Sequence, residues 1–247
     1  MHKTIFFLSA LATLYAGDAD AFRFSPFRAS VAPTGPEAAK LFRVENNADR
    51  MSAVQVRVQT RSIDEYGQER NDDAGGAFSV YPSQFVMQPK TSRAVRVQWN
   101  GGAIPKELAF RVIAEELPVA LEKNPPDGGN VAFLVAYRGA LFVTPRGADS
   151  KLQVTDFSLG SPSAGGKRLL RLELRNDGLR HAFFRDPTVT AYARSGTKTT
   201  ITDAALMEKL EGQTVPAGGT RKFLLPWSPS LPQDVAKIEI GYDKNAF

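Results

Sequence analysis

The sequence predicts an all-β protein made of two antiparallel β-sandwich domains joined by a short linker. Three observations lead there. Short runs alternate apolar and polar side chains with a period of two, clusters of Gly, Pro, Asn and Asp separate those runs, and two pairs of similar segments recur in the two halves. Period-two alternation marks a strand with one face on a core, and many such strands with polar turns between them build sandwiches.

Along the chain, the opening reads as a leader. Lys3 precedes an apolar stretch from Ile5 to Ala16, and Ala19-Asp20-Ala21 supplies a small-x-small cleavage site. Residues 1–21 are therefore expected to be a secretory signal peptide, with Phe22 at the mature N-terminus. The apolar stretch is shorter than the ~20 residues of a membrane span. No later segment is long and apolar enough to insert, so no membrane insertion is expected.

The strands follow. Val54 to Gln59, Val95 to Trp99, Leu170 to Leu174 and Ile238 to Ile240 all alternate. Asn46-Asn47, Asn100-Gly101-Gly102, Pro125 to Gly129, Asn176-Asp177-Gly178 and Ala217-Gly218-Gly219 are the turns between such runs. Only Thr202 to Glu211 carries a helical spacing, with Ala205, Leu206 and Leu210 on one side, and it is read as one short helix or a loop. Pro145 to Ser150 reads as the linker, giving domains over 22–145 and 146–247. On either side of it, Leu41 to Asn47 resembles Leu170 to Asp177, and Pro89 to Val95 resembles Pro216 to Phe223.

Composition excludes several chemistries. With no cysteine, the chain holds no disulfide, thiolate metal site or cysteine nucleophile. His2 leaves with the leader, so His181 is the one histidine of the mature chain. It cannot build a multi-histidine metal site, and no nucleophile and acid present themselves to complete a triad around it. His181 is read as a surface or packing residue. Adjacent carboxylates such as Glu115-Glu116 point to opposite faces of a strand and make poor acid–base pairs. No enzyme and no cofactor are expected. The net charge of +5 rises by one when Lys3, Asp18 and Asp20 are removed. The basic residues are scattered singly through strands, so nucleic acid is not the expected partner.

The segment Val131 to Pro145 stands apart. Val131, Phe133 and Val135 alternate with Ala132, Leu134 and Ala136, so both faces are apolar. A strand covering a single core needs only one apolar face, and the second needs a partner in this protein or in another chain. Arg138, which follows the apolar run, and Arg28, near the expected mature N-terminus, are forked donors suited to a carboxylate if both border one cleft.

The ordered set of segments resembles the periplasmic pilus-assembly chaperones of the chaperone–usher pathway. Phe24-Ser25-Pro26-Phe27-Arg28 is similar to their first strand. Phe85 to Pro89 followed by Arg93 to Val97 is similar to their proline turn and following strand, Phe110 to Pro118 to their F-R-…-E-I-P signature, and Leu141 to Pro145 to the end of their long strand. The resemblance implies two immunoglobulin-like domains in a soluble periplasmic protein. Its partners would be pilus or fimbrial subunits and an outer-membrane usher. It implies donor-strand complementation, with Val131, Phe133 and Val135 filling the open groove of a subunit while the other face covers the chain's own core. It implies a basic pair that anchors the subunit's terminal carboxylate. Arg28 fits the first member. The family's lysine position falls at Ala140, so Arg138 is taken as the second member, with Arg96 as the alternative. The competing reading is a secreted structural or adhesive β-protein that self-associates through the same edge.

Overall fold

The computed structural model describes residues 22–118, 134–160 and 168–244. The predicted leader, Val131 and Phe133 lie outside the described residues. The N-terminal half forms β1 (Arg23–Ser25), β2 (Arg28–Val31), β3 (Ala39–Glu45), β4 (Ser52–Thr60), β5 (Ser62–Ile63) and β6 (Glu69–Arg70). It continues with β7 (Phe78–Tyr81), β8 (Gln84–Met87), β9 (Ser92–Trp99), β10 (Leu108–Leu117) and β11 (Ala136–Val143). Two sheets face each other, ordered β1-β3-β9-β7 and β2-β11-β10-β4-β8. The alternation in the sequence produces this layering directly. In β4, Val54, Val56 and Val58 are buried while Gln55, Arg57 and Gln59 are only half-buried. Opposite them, Phe42, Val44, Val95 and Val97 come from the other sheet and close one core with Val112, Leu141 and Val143.

The C-terminal half forms β12 (Leu152–Leu159), β13 (Leu169–Asn176), β14 (Ala182–Phe183), β15 (Thr188–Ala193) and β16 (Lys198–Ile201). It ends with α1 (Ala204–Leu210), β17 (Thr214–Val215), β18 (Thr220–Pro226) and β19 (Val235–Gly241). Sheets β12-β13-β18 and β16-β15-β19 pack on a second core that includes Leu172, Leu174, Phe184, Val189, Leu225 and Ile238. The one helical spacing in the sequence is a helix. The Asp203 side chain accepts the Leu206 N–H at 3.2 Å, satisfying a donor that the first turn leaves open. Leu206 and Leu210 are its buried residues.

The paired segments noticed in the sequence have one physical job. Asn46 and Asn176 each end an alternating run and are buried. The Asn46 Oδ1 accepts the N–H of Ala48, and its Nδ2 donates to the carbonyls of Arg50 and Gln88. The Asn176 Oδ1 accepts the N–H of Gly178, and its Nδ2 donates to the carbonyls of Arg180, Val215 and Pro216. Each asparagine thus closes its own turn and hooks it to the proline turn that precedes the next long strand, at Pro89 in one domain and Pro216 in the other.

Candidate functional site

Three strands of the N-terminal sheet present a row of side chains toward the C-terminal domain. β2 runs parallel to β11 with Arg28 opposite Ala140. β10 runs antiparallel to β11 with Arg111 opposite Ala140, and antiparallel to β4 with Arg111 opposite Gln59. Directly opposite residues share a face, so Arg28, Ala140 and Arg111 form one row on the face away from the core. Arg138 stands on the same face, one step along β11, in a row with Ile113 and Arg57. It is exposed. Arg96 is elsewhere: it lies on β9 between Leu41 and Tyr81, in the other sheet, so it does not share this face with Arg28.

Arg28 reaches into the cleft between the domains. Its guanidinium carbon lies 3.6 Å from the centroid of the Phe183 ring, on β14. Burial, then the nearby positive charges of Arg185, Arg61 and Arg111, lower its pKa. A half-buried cation beside further cations is a standing preference for an anion.

Glu69 on β6 tempers this concentration of charge. Its Oε1 accepts from the Arg111 Nε at 2.7 Å, and its Oε2 accepts from the Arg111 Nη2 at 2.5 Å and the Arg61 Nε at 2.8 Å. Burial alone would raise its carboxyl pKa. The hydrogen bonds from Arg111 and Arg61 override that and hold it at about 2. The loop between β5 and β6 extends this group to the other domain. The Lys222 N–H on β18 donates to the Glu65 carbonyl at 2.6 Å, and its Nζ lies 2.7 Å from the Glu65 carboxylate. Gly67 at the tip has φ +90°, a conformation open without strain only to glycine, and a Cβ there would meet the Arg221 Nη2 at 2.5 Å.

A second contact between the domains is buried. Glu107, just before β10, and His181, just before β14, have side chains each 3% exposed. The Glu107 Oε1 accepts the His181 backbone N–H at 3.0 Å and lies 2.6 Å from its Nδ1. The Thr144 hydroxyl donates to the Glu107 Oε2 at 2.8 Å, and the Ser30 hydroxyl lies 2.8 Å from that of Thr144. The His181 ring stacks on Phe142, with centroids 4.1 Å apart. His181 is a packing residue, on the packing side of the two roles the sequence allowed. Glu115 and Glu116 point to opposite faces as expected. Glu115 takes a two-point bond from Arg57, and the buried Glu116 accepts from Ser52 and pairs with Arg50.

The start of β11 differs from the expected division of faces. Val135 packs against the chain's own N-terminal core, as does Tyr137. The exposed residues at this point are the alternating ones, Leu134 and Ala136. An aromatic group surrounds the same end of the core: Tyr137 meets Phe22 edge-on at 4.8 Å and Phe27 at 5.5 Å. Phe27 is 55% exposed, so the core reaches the surface here.

Sequence reasoning missed Arg111, Arg61, Glu69 and Phe183. Each is a single polar or aromatic residue in an ordinary strand pattern, and only the strand register brings them to Arg28.

Comparison with known proteins adds the family. The family described as pili and flagellar-assembly chaperone, PapD N-terminal domain, matches residues 25–149. No curated protein sequence matches the chain. Solved structures share its fold at low identity. One is the class 5 fimbriae chaperone CfaA, at 14% identity with a TM-score of 0.56, covering 90% of this chain and 98% of that one. Another is the CsuC–CsuE chaperone–tip adhesion subunit complex of archaic Csu pili from Acinetobacter baumannii, at 18% identity and 0.55, covering 90% and 97%. A third is the Salmonella enterica SafA pilin with the SafB chaperone, at 16% and 0.53, covering 85% and 86%.

Proposed function

Taking as premise that the chain belongs to the pili and flagellar-assembly chaperone family, we propose that it is a periplasmic chaperone that captures pilus subunits by donating a strand and hands them to an outer-membrane usher. The observation that carries the proposal is the pairing of β2 with β11. It sets the half-buried cation of Arg28 at the cleft beside β11, the strand that follows the apolar segment in the sequence.

Arg28 holds the terminal carboxylate of the subunit. Arg138, exposed on the same face, adds positive charge at the mouth of the cleft. The donated residues are Val135, Phe133 and Val131. They lie five, seven and nine residues before Ala140, or about 16, 23 and 30 Å along an extended strand. A subunit whose last strand starts from the anchor and runs beside this segment meets all three in succession.

The packing of Val135 on the chain's own core supports a specific form of donation. Side chains two and four residues before Val135 would fall on its face if the strand continues extended, so the open core of the subunit would join this core end to end, at the aromatic group formed by Phe22, Phe27 and Tyr137. Each large apolar side chain buried in the partner contributes ~1.5–3 kcal/mol, and backbone pairing along the edge adds a hydrogen-bond ladder.

Co-expression in the periplasm with the small secreted β-proteins encoded beside its gene tests this reading. The expected product is a soluble one-to-one complex that is lost in Phe133→Asp, whose charge would be buried without a partner. Homopolymers that form without any subunit and ignore Phe133→Asp would instead establish the self-associating structural protein.

A further inference from the structure

We infer that Arg111 is the second cation of the carboxylate anchor and that Glu69 is the positioning residue that aims it, so that the cleft selects a chain ending in a free carboxylate. The inference rests on the anchor reading proposed above for Arg28.

Where the family resemblance implies a lysine, this chain has Ala140. The register supplies a cation from the next strand instead, because Ala140 is flanked by Arg28 on β2 and Arg111 on β10. Two strand spacings separate the flanking backbones by about 10 Å. The uncharged methyl of Ala140 stands in the row between these two arginine positions.

Glu69 does not use up Arg111. A guanidinium has five N–H donors, and Glu69 takes the Nε proton and one on Nη2. Both Nη1 protons and the second on Nη2 remain, along an edge whose spacing matches a second carboxylate. A two-point bond on one edge also stops the group from rotating, so the other edge is fixed in direction. Arg61, bonded to the same carboxylate at 2.8 Å, keeps Glu69 from turning away. The loop that follows β5 is tied to β18 through Glu65 and Lys222, so the C-terminal domain holds Glu69 in place from outside the sheet. Four arginines, 28, 61, 111 and 185, share the region with this carboxylate, and an incoming carboxylate relieves their repulsion.

The test uses the full chain and two probes: an acetylated hexapeptide of alternating valine and threonine with a free C-terminal carboxylate, and the same peptide as its C-terminal amide. Calorimetric titration is expected to give about tenfold or more tighter binding of the acid, the scale of one charge-assisted hydrogen-bonded contact. Arg111→Gln and Glu69→Gln are each expected to lower the acid-to-amide ratio severalfold, leaving the part that Arg28 supplies, with amide affinity unchanged. A purely structural role for Glu69 would instead lower both affinities together. Ala140→Lys placed in the Arg111→Gln chain is expected to restore the preference, and Arg138→Ala to retain it. A preference undiminished in Arg111→Gln and lost in Arg28→Ala overturns this inference and leaves the anchor reading standing. Equal binding of both peptides by the unaltered chain overturns the anchor reading and the inference with it.

Discussion

Arg28→Ala is expected to weaken binding of a pilus subunit by about a hundredfold or more while leaving the fold intact. Truncating one partner of a buried, hydrogen-bonded charge pair costs about 2–5 kcal/mol in an interface, and each 1.4 kcal/mol is a factor of about ten. In the free protein the same side chain stacks on Phe183, a contact of the order of 0.5–2 kcal/mol. The two effects therefore separate. Thermal unfolding should shift by a few degrees at most, while titration with purified subunit should show the affinity collapse. Arg28→Lys should fall between, because it keeps the charge and loses the planar fork. Unchanged affinity in Arg28→Ala would remove the carboxylate anchor from the account.

Glu107→Ala is expected to uncouple the two domains and destabilise the chain by about 2–5 kcal/mol, because each buried donor left without its acceptor costs about 1–3 kcal/mol. The deletion removes the carboxylate that accepts the His181 backbone N–H and the Thr144 hydroxyl and lies beside the His181 ring nitrogen. Because Glu107 and Thr144 belong to one domain and His181 to the other, the loss falls on their junction rather than on either core. Calorimetry should show the main transition lowered and broadened or split, with the cores of Val44 and Leu172 unfolding apart. Glu107→Gln keeps one acceptor oxygen for the His181 backbone N–H, and its amide N–H can donate to the Thr144 hydroxyl oxygen, so it should recover a large part of the loss. A single, unshifted transition in Glu107→Ala would mean that the domains are held by other contacts, such as Glu65 with Lys222.

Much of the fold was legible because strands with one buried face repeat every second residue. Val54 to Gln59 and Leu170 to Leu174 show that pattern, and both are strands whose apolar residues are buried. The repeated Asn46 and Asn176 were legible as turn signals, and their hooks to the two proline turns explain why the similarity spans two separate segments. The helix at Ala204–Leu210 was visible in the spacing of Leu206 and Leu210.

Register was not legible. Arg28 and Ala140, or Glu69 and Arg111, are far apart in sequence, and nothing local to either residue names the other. For that reason Arg138 looked like the natural companion of Arg28, although the row geometry brings Arg111 beside Ala140 from the other side. The inward packing of Val135 was hidden for a related reason: in a run that is apolar on both faces, alternation cannot say which face meets the core. His181 was ambiguous because its burial depends on Glu107, a residue of the other domain.

The most direct test of strand donation uses the absence of cysteine from the chain. A single thiol introduced as Phe133→Cys can be labelled with a maleimide in the free protein and in the purified subunit complex. Leu159→Cys, at an exposed site on β12, serves as the control. The account predicts that complex formation slows labelling at 133 by at least about tenfold and leaves 159 unaffected, since a donated side chain is buried in the core of the subunit. Equal labelling at 133 in the free and bound protein would contradict strand donation by this segment.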